Sequence, residues 1–222
     1  MISRLAIASC LSLSCVGASA TLTPTFDSFG ALPQATFGGS GIPNNAVAMS
    51  STTATAPQVT LGLTATQRFS NPALTNDGAG RFFAQAGVDQ TSAGSIAAAL
   101  ARWNFDYYIG GTGVASYTYE LLFDVDPSAN ENFKTVPFSA ASQDSWNLGF
   151  DSFEAAGAYA FNPNANGEYS FVLRAFSIGS VPVEVASTSI VVQVGAVPEP
   201  ASLALVATAL FAAGAALRRR RG

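Results

Sequence analysis

Apolar and polar positions alternate with a period of two over the middle of the chain. From position 102 to 109, one face carries the large apolar residues Trp103, Phe105, Tyr107 and Ile109, and the other is polar. Residues 117–125 repeat the pattern after a glycine-rich turn at 110–113. Strict alternation is typical of half-buried strands, so we predict an antiparallel hairpin whose aromatic side chains face a core.

Other apolar or alternating runs are separated by glycine, proline and asparagine, which favour turns. Besides the two arms above, the predicted strands are 25–29, 46–49, 58–66, 81–88, 133–138, 145–150, 168–176, 181–185 and 187–194. Residues 95–101 have a helical composition without capping residues, so they form either one helical turn or the start of the next strand. The series indicates one all-β domain over residues 21–195, an antiparallel β-sandwich of jelly-roll-like type.

The first 20 residues have the three parts of a secretory signal peptide. Arg4 supplies the positive start, residues 5–16 form an apolar segment, and Ala18-Ser19-Ala20 is a small-residue cleavage pattern. We therefore predict a signal peptide at 1–20, cleavage before Thr21 and export. A lipoprotein signal ending at Cys10 is the alternative, but the apolar stretch before Cys10 is too short for it.

An uncharged apolar run occupies residues 201–217. As an α-helix it would be about 25 Å long, near the lower limit for crossing a bilayer. Much of it is alanine, so its hydrophobic contribution to insertion is small. Four arginines follow, Arg218, Arg219, Arg220 and Arg221. The positive-inside rule places them in the cytoplasm, so we predict a single transmembrane helix with a transient hold on the inner membrane, in preference to a helix packed on the domain.

The residues before this run complete a known arrangement. They are Val197, Pro198, Glu199 and Pro200, followed by Ala201 and Ser202. Residues 196–222 therefore contain three parts in order: this motif at 197–200, the apolar helix at 201–217 and the basic tail at 218–221. In this order they resemble a PEP-CTERM sorting signal of Gram-negative bacteria. The resemblance implies processing by an exosortase, a membrane enzyme, and a destination at the cell surface or in the extracellular matrix. It also implies an association with exopolysaccharide and biofilm.

Charge and residue types exclude several functions for residues 21–196. Five basic and 13 acidic residues leave a formal net charge of −8, which argues against nucleic-acid binding. The sequence has no histidine, and both cysteines, Cys10 and Cys15, lie in the predicted signal peptide. Serine–histidine triads, thiol nucleophiles and cysteine-ligated metal sites are therefore excluded from the domain, together with most zinc sites.

The clearest candidate for a metal site is Asp124-Val125-Asp126. In a strand, the carboxylates of Asp124 and Asp126 would share a face about 7 Å apart. With Asn130 they could bind Ca²⁺ through oxygen ligands. The stretch is not an EF-hand loop, since Ala129 stands where the glycine is required and Thr135 where the bidentate glutamate is required. A solvated strand end that runs into a turn is the favoured interpretation, and we expect no other cofactor.

Three functions remain for the domain. We predict a non-enzymatic structural component associated with exopolysaccharide. A polysaccharide-binding module, with or without calcium, is the alternative, because aromatic residues can stack on sugars; most of them alternate into the core, but Tyr108 falls on the polar face. A glycan-degrading enzyme needs two acids across a cleft, and 13 acids make some such pair inevitable. The glycine-rich run at 38–41 lacks the lysine of a phosphate loop and is interpreted as a flexible turn.

Overall fold

The computed structural model describes residues 22–52, 58–69, 73–89, 100–128, 130–150 and 161–195. These residues form eleven β-strands and one short 3₁₀ helix at Val114–Ser116. The strands are β1 (Ser28–Gly30), β2 (Val47–Ser51), β3 (Thr60–Gln67), β4 (Thr75–Asn76), β5 (Arg81–Ala84), β6 (Trp103–Gly110), β7 (Tyr117–Asp124), β8 (Phe133–Phe138), β9 (Ser142–Trp146), β10 (Gly167–Ser177) and β11 (Glu184–Val194). The described part of the chain is therefore all-β, as the alternating pattern predicts.

The strands form two sheets that pack face to face. Sheet A has the order β1-β2-β3-β6-β9, and sheet B has the order β4-β5-β11-β10-β7-β8. All neighbours in sheet A are antiparallel, whereas β5 and β11 in sheet B are parallel. The expectation of an antiparallel, jelly-roll-like sandwich is wrong at this pair, and sheet B is mixed. Alternation along a strand gives its buried face and not the direction of its neighbour.

Aromatic side chains from the two sheets meet in the core. The ring of Phe105 on β6 stacks on Phe171 of β10, with centroids 4.3 Å apart. Trp103 lies 5.6 Å from Tyr169. Nine residues were predicted to face the core. Tyr117 is half-buried and packs against the core, and the others are buried: Trp103, Phe105, Tyr107, Ile109, Tyr119, Leu121, Phe123 and Val125. The prediction of which side chains face the core is confirmed for both arms.

The predicted hairpin between those arms is wrong. Strand β6 pairs with β3 and β9 in sheet A, and β7 pairs with β10 and β8 in sheet B. The connection between them, which contains the 3₁₀ helix, carries the chain from one sheet to the other. Phe105 and Phe123 therefore stack across the sandwich, with centroids 6.2 Å apart, and do not lie side by side. Strands in which apolar and polar residues alternate bury the same side chains whether they form a hairpin in one sheet or face each other from two sheets.

Several strand limits also differ from the prediction. The strand expected at 145–150 is β9, Ser142–Trp146, because the buried side chain of Asn147 accepts the backbone N–H of Gly149 and turns the chain there. The two runs expected at 181–185 and 187–194 are joined in one strand, β11, which begins only at Glu184. Strand β4, Thr75–Asn76, lies outside all of the predicted strands.

A small second core covers the outer face of sheet A. It is formed by Leu32, Ala35, Phe37 and Val47, with Ile42, Met49 and Tyr108 packed against it. Residues 31–45 have the loop character that their turn formers predict, yet they bury apolar side chains on the sheet. Tyr108, expected on a polar face, lies beneath this segment. Tyr108 is opposite Gly62 of β3. The missing side chain of Gly62 leaves room for Leu32, since a Cβ at Gly62 would be 2.8 Å from Leu32 Cδ2.

The two predicted membrane-directed ends lie outside the described residues. These are the signal peptide at 1–20 and the segment at 196–222. Within the part of the chain that the structure does describe, no helix has the length and apolar character needed to cross a membrane.

Candidate functional site

A cleft of about 420 Å³ opens on the outer face of sheet A. Its floor is formed by side chains of the sheet, one wall by residues 37–40, and its rim by Phe69, Phe150 and Asp144. We call it the sheet A cleft. The cleft lies where residues 31–45 stop covering sheet A, so solvent reaches the polar strand residues at this place.

The floor is polar because of strand register. Thr66 on β3 is opposite Asn104 on β6, and the neighbouring row places Ser145 of β9 opposite Asp106. Asn104 Nδ2 donates to Ser145 Oγ at 2.9 Å, and Asn147 Nδ2 donates to Asn104 Oδ1 at 2.9 Å. This chain of hydrogen bonds fixes the orientation of the floor side chains before any ligand binds.

Asp144 is an exposed carboxylate held in one position. Its Oδ1 accepts the backbone N–H of Ser145 at 2.8 Å, and its Oδ2 accepts the indole N–H of Trp146 at 2.9 Å. Each oxygen keeps a further lone pair, because a carboxylate offers about four acceptor sites. Asp144 is therefore a pre-positioned hydrogen-bond acceptor at the edge of the cleft.

The wall at residues 37–40 is tied to sheet A. The backbone N–H groups of Thr36 and Phe37 both donate to Gln143 Oε1, at 2.8 and 2.9 Å. Gly38 has a φ of 73°, and a Cβ there would be 3.0 Å from Asp144 Oδ1. The interpretation of 38–41 as a free flexible turn is thus incomplete, since this loop is anchored beside Asp144.

The opposite rim carries an exposed aromatic ring. Phe69 is 66% exposed and has a φ of 56°, which is uncommon for a residue with a bulky side chain. The guanidinium carbon of Arg68 lies 4.2 Å from the centroid of the Phe69 ring and 5.5 Å from that of Phe150. Arg68 Nε is 3.2 Å from Asp89 Oδ2, with both side chains largely buried. Burial lowers the pKa of Arg68, whereas Asp89 raises it.

Asp106 lies beside the floor, on the same face of β6 as Asn104, and is completely buried. Burial raises the pKa of its carboxyl group to about 7; Asp144 also raises the pKa, and the hydroxyls of Ser145 and Thr66 lower it. Among the residues that the structure describes, neither carboxylate oxygen has a hydrogen-bond partner in good geometry. Close hydroxyl groups therefore reduce the cost of burying this charge without removing it.

A more open groove of about 680 Å³ lies at another edge of the sandwich. It is lined by residues 118–120 and 137–142, which belong to β7, β8, the β8–β9 connection and the first residue of β9. We call it the β8–β9 groove. Small side chains of serine and alanine form much of its surface, and Glu120 is the carboxylate that lines it.

The candidate calcium residues organise a turn in this structure. Asp124 is buried at the end of β7, and its Oδ1 accepts the N–H groups of Asp126 and Asn132, at 3.0 and 2.8 Å. Asp126 Oδ1 accepts the N–H of Ser128, and the N–H of Asn130 donates to the Ser128 hydroxyl. Burial raises the pKa of Asp124; the two N–H groups lower it, and the nearby carboxylates of Asp126 and Glu131 raise it.

This geometry agrees with a strand end that runs into a turn. No group of three or more histidine, cysteine, aspartate or glutamate side chains placed to hold a metal occurs within the described ranges. Calcium at Asp124, Asp126 and Asn130 stays a prediction.

A comparison with protein families identifies the end of the chain. The family model of the PEP-CTERM protein-sorting motif matches residues 196–221. The chain carries a PEP-CTERM sorting motif. The resemblance inferred from the sequence is thereby confirmed. The motif is a recognition signal for exosortase processing and implies export and sorting to the cell surface.

The PEP-CTERM motif begins directly after the described domain. Strand β11 ends at Val194, and Gly195 still donates its N–H to Ala84 O at 3.0 Å. The predicted motif residues Val197, Pro198, Glu199 and Pro200 and the arginines Arg218 to Arg221 lie outside the described residues, as do the cleavage residues Ala18, Ala20 and Thr21. Searches of the curated proteins and of the solved structures found no match to the chain.

Sequence reasoning missed the sheet A cleft. Asn104 and Asp106 were assigned to a polar outer face, but alternation does not indicate that residues 31–45 cover most of that face. Asp144 was outside the predicted strand, and Phe69 was in no predicted element. The glycines at 38–41 were the one available signal, because a loop with positive φ values can approach a neighbouring side chain closely.

Proposed function

We propose that this PEP-CTERM protein is a non-enzymatic, structural component of an exopolysaccharide-containing surface layer or biofilm matrix. Its C-terminal helix at 201–217 holds it transiently at the inner membrane after export. Exosortase then processes it near the motif, and the β-sandwich reaches the cell surface or the extracellular matrix. The observation that carries the proposal is the match of the sorting motif to residues 196–221, directly after the last strand.

The position of β11 supports a domain held close to the bilayer. Strand β11 pairs with β10 on one side and with β5 on the other, so it is an inner strand of sheet B. Only residues 195 and 196 separate its end from the motif at 197–200. Without a long linker, the sandwich cannot move far from the point where the segment enters the membrane.

The residue content supports a non-enzymatic role. The domain has no histidine and no cysteine, so the most common general bases and thiol nucleophiles are missing from its sequence. The buried carboxyl of Asp106 has a raised pKa, but Asp106 is not among the residues that line the cleft. We therefore assign no reaction to it.

The sorting part of the proposal is tested by replacing Glu199 with alanine. Glu199→Ala is expected to abolish C-terminal trimming and leave the untrimmed protein in the inner-membrane fraction. Fractionation of cells and mass spectrometry of the C-terminus measure both results. The matched control is Glu184→Ala, an exposed glutamate of β11, which should leave trimming unchanged. Normal trimming and surface delivery of Glu199→Ala would remove the basis of the proposal.

A polysaccharide-binding module is the second candidate function. The sheet A cleft favours it, because it combines a fixed carboxylate, a polar floor and an exposed aromatic ring. Assistance by calcium at Asp124, Asp126 and Asn130 remains a hypothesis within this second function.

A further inference from the structure

We propose that the sheet A cleft binds one or two sugar rings of a neutral polysaccharide, with Asp144 accepting hydroxyl hydrogens and Phe69 packing on the C–H face of a ring. This cleft would be the place where the protein contacts the polysaccharide of the surface layer. The inference rests on the proposed function, because that function supplies the ligand.

The size of the cleft fits such a ligand. Sites for small molecules have volumes of roughly 300–1,000 Å³, and the sheet A cleft has about 420 Å³. Its lining combines the anchored loop at 37–40, polar strand residues such as Asn104, and the Arg68–Phe69 pair.

The chemistry of Asp144 fits a pair of hydroxyl groups. Its two oxygens are already oriented by Ser145 N–H and Trp146 Nε1–H. Neighbouring hydroxyls of a sugar ring can donate one hydrogen to each oxygen, which gives a bidentate contact to a charged acceptor. Because the carboxylate does not have to be immobilised on binding, little side-chain entropy is lost.

Phe69 supplies the apolar contact. A large ring that is 66% exposed loses hydrophobic stabilisation unless a ligand covers it. Its backbone has a positive φ, and such conformations are found at ligand-binding positions, where the surrounding structure holds them in place. The guanidinium of Arg68 makes a cation–π contact with the ring. The C–H face of a sugar can then cover the exposed part of the ring.

The charges around the cleft favour a neutral ligand over an anionic one. Asp144 is the carboxylate that lines the cleft. The positive charge of Arg68 is balanced by Asp89, 3.2 Å away. An anionic sugar would therefore approach a net negative site in a domain whose sequence is also acidic.

The test measures binding by the full exported protein, purified in mild detergent, using isothermal titration calorimetry. The probes are cellotetraose, maltotetraose and tetra-N-acetylchitotetraose, with tetragalacturonate as the anionic probe. At least one neutral probe is expected to bind, and tetragalacturonate more weakly. Asp144→Asn is expected to raise the Kd about tenfold, since it removes a charged hydrogen-bond acceptor. Phe69→Ala is expected to raise the Kd about fivefold or more, since it removes the stacking surface.

The matched control is Glu120→Gln, which neutralises a carboxylate in the β8–β9 groove. It should leave the Kd unchanged, and thermal melting checks that each variant folds. Phe69→Ala keeps the test valid even where Asp144→Asn fails to fold, because the Phe69 ring is mostly exposed. Failure of all three neutral probes to bind, or equal affinity in wild type and both cleft variants, overturns the proposed site. Either result leaves the sorting experiment on Glu199 unaffected, so the two proposals fail separately.

Discussion

Asp106 is the residue whose environment differs most from what its sequence position indicates. It belongs to the polar face of an alternating strand, where a carboxylate would normally be solvated. In the fold, residues 31–45 pack on that face of sheet A, and the carboxyl group of Asp106 is completely buried. The pKa rises to about 7 chiefly because burial disfavours the charged form.

This environment predicts that the domain loses stability as the pH rises from about 4 to about 7. Over this interval the unfolded chain has released the Asp106 proton, and the folded chain still holds it. One extra proton in the folded state changes the free energy of unfolding by about 1.4 kcal/mol per pH unit, so the loss is about 4 kcal/mol in all. Asp106→Asn cannot ionise and should lack this slope.

Urea denaturation of wild type and Asp106→Asn over a pH series measures the effect. The difference between the two curves isolates Asp106 from the other carboxylates, including Asp124. Near or above pH 7 the variant should be the more stable protein. Parallel curves for the two proteins would contradict a buried, protonated Asp106.

At the scale of elements, the connection between β6 and β7 decides the architecture. It carries the chain from sheet A to sheet B within a few residues. Gly111 makes this path available, because its φ is 123° and a Cβ there would collide with the carbonyl oxygen of Gln58. Gly113 then donates its N–H to the same oxygen at 2.7 Å. The crossing is thus fixed by backbone contacts with a residue that is distant in sequence.

Gly111→Ala is therefore expected to destabilise the domain by about 3 kcal/mol or more, since it adds a steric clash to an unfavourable φ. Gly78→Ala is the matched control, because Gly78 also has a positive φ, 72°, but no atom lies near its missing Cβ. The control should cost only about 1–2 kcal/mol. Thermal or urea unfolding compares them, and equal losses would show that the contact with Gln58 is unimportant.

At the scale of the whole molecule, the sorting motif is joined to the centre of sheet B. Residues Ile190, Val191, Val192 and Val194 of β11 are buried, and the motif follows almost at once. Processing by exosortase must therefore occur after β11 if the sandwich is to persist. This places the limit of the stable domain at Gly195, whose N–H still bonds to sheet B.

Two shortened chains test that limit. A chain ending at Gly195 should unfold cooperatively, like the full domain. A chain ending at Thr188 should have no cooperative transition, because four buried aliphatic side chains contribute about 1.5–3 kcal/mol each, comparable with the whole stability of a domain. Near-ultraviolet circular dichroism during heating distinguishes them. A cooperative melt of the shorter chain at the same temperature would show that β11 is dispensable.

The pattern of side chains along each strand predicted much of this fold. The core faces of β6, β7 and β10 could be assigned because alternation is a local property, set by the backbone geometry of a single strand. Strand β8 has the predicted limits. The partners of each strand could not be assigned, because β6 and β7 bury the same aromatic residues whether they form a hairpin or face each other across a sandwich.

The sequence predicted less of the candidate site than of the fold. Asp144, Phe69 and Asn104 come from three separate stretches, and residues 31–45 decide which polar side chains of sheet A are covered. No periodicity links these stretches. The aspartates that local sequence did single out, Asp124 and Asp126, accept backbone N–H groups in a turn.

The amino-acid sequence alone was enough to identify the sorting motif, the strand character of the domain, and the absence of histidine and of cysteine outside the predicted signal peptide. These properties depend on residue order and residue type, which need no tertiary contact to be recognised. Only the tertiary structure decided the sheet partners, the crossing at Gly111, the burial of Asp106 and the position of the sheet A cleft. Each of these depends on contacts between residues far apart in the chain, whose energies a local pattern does not contain.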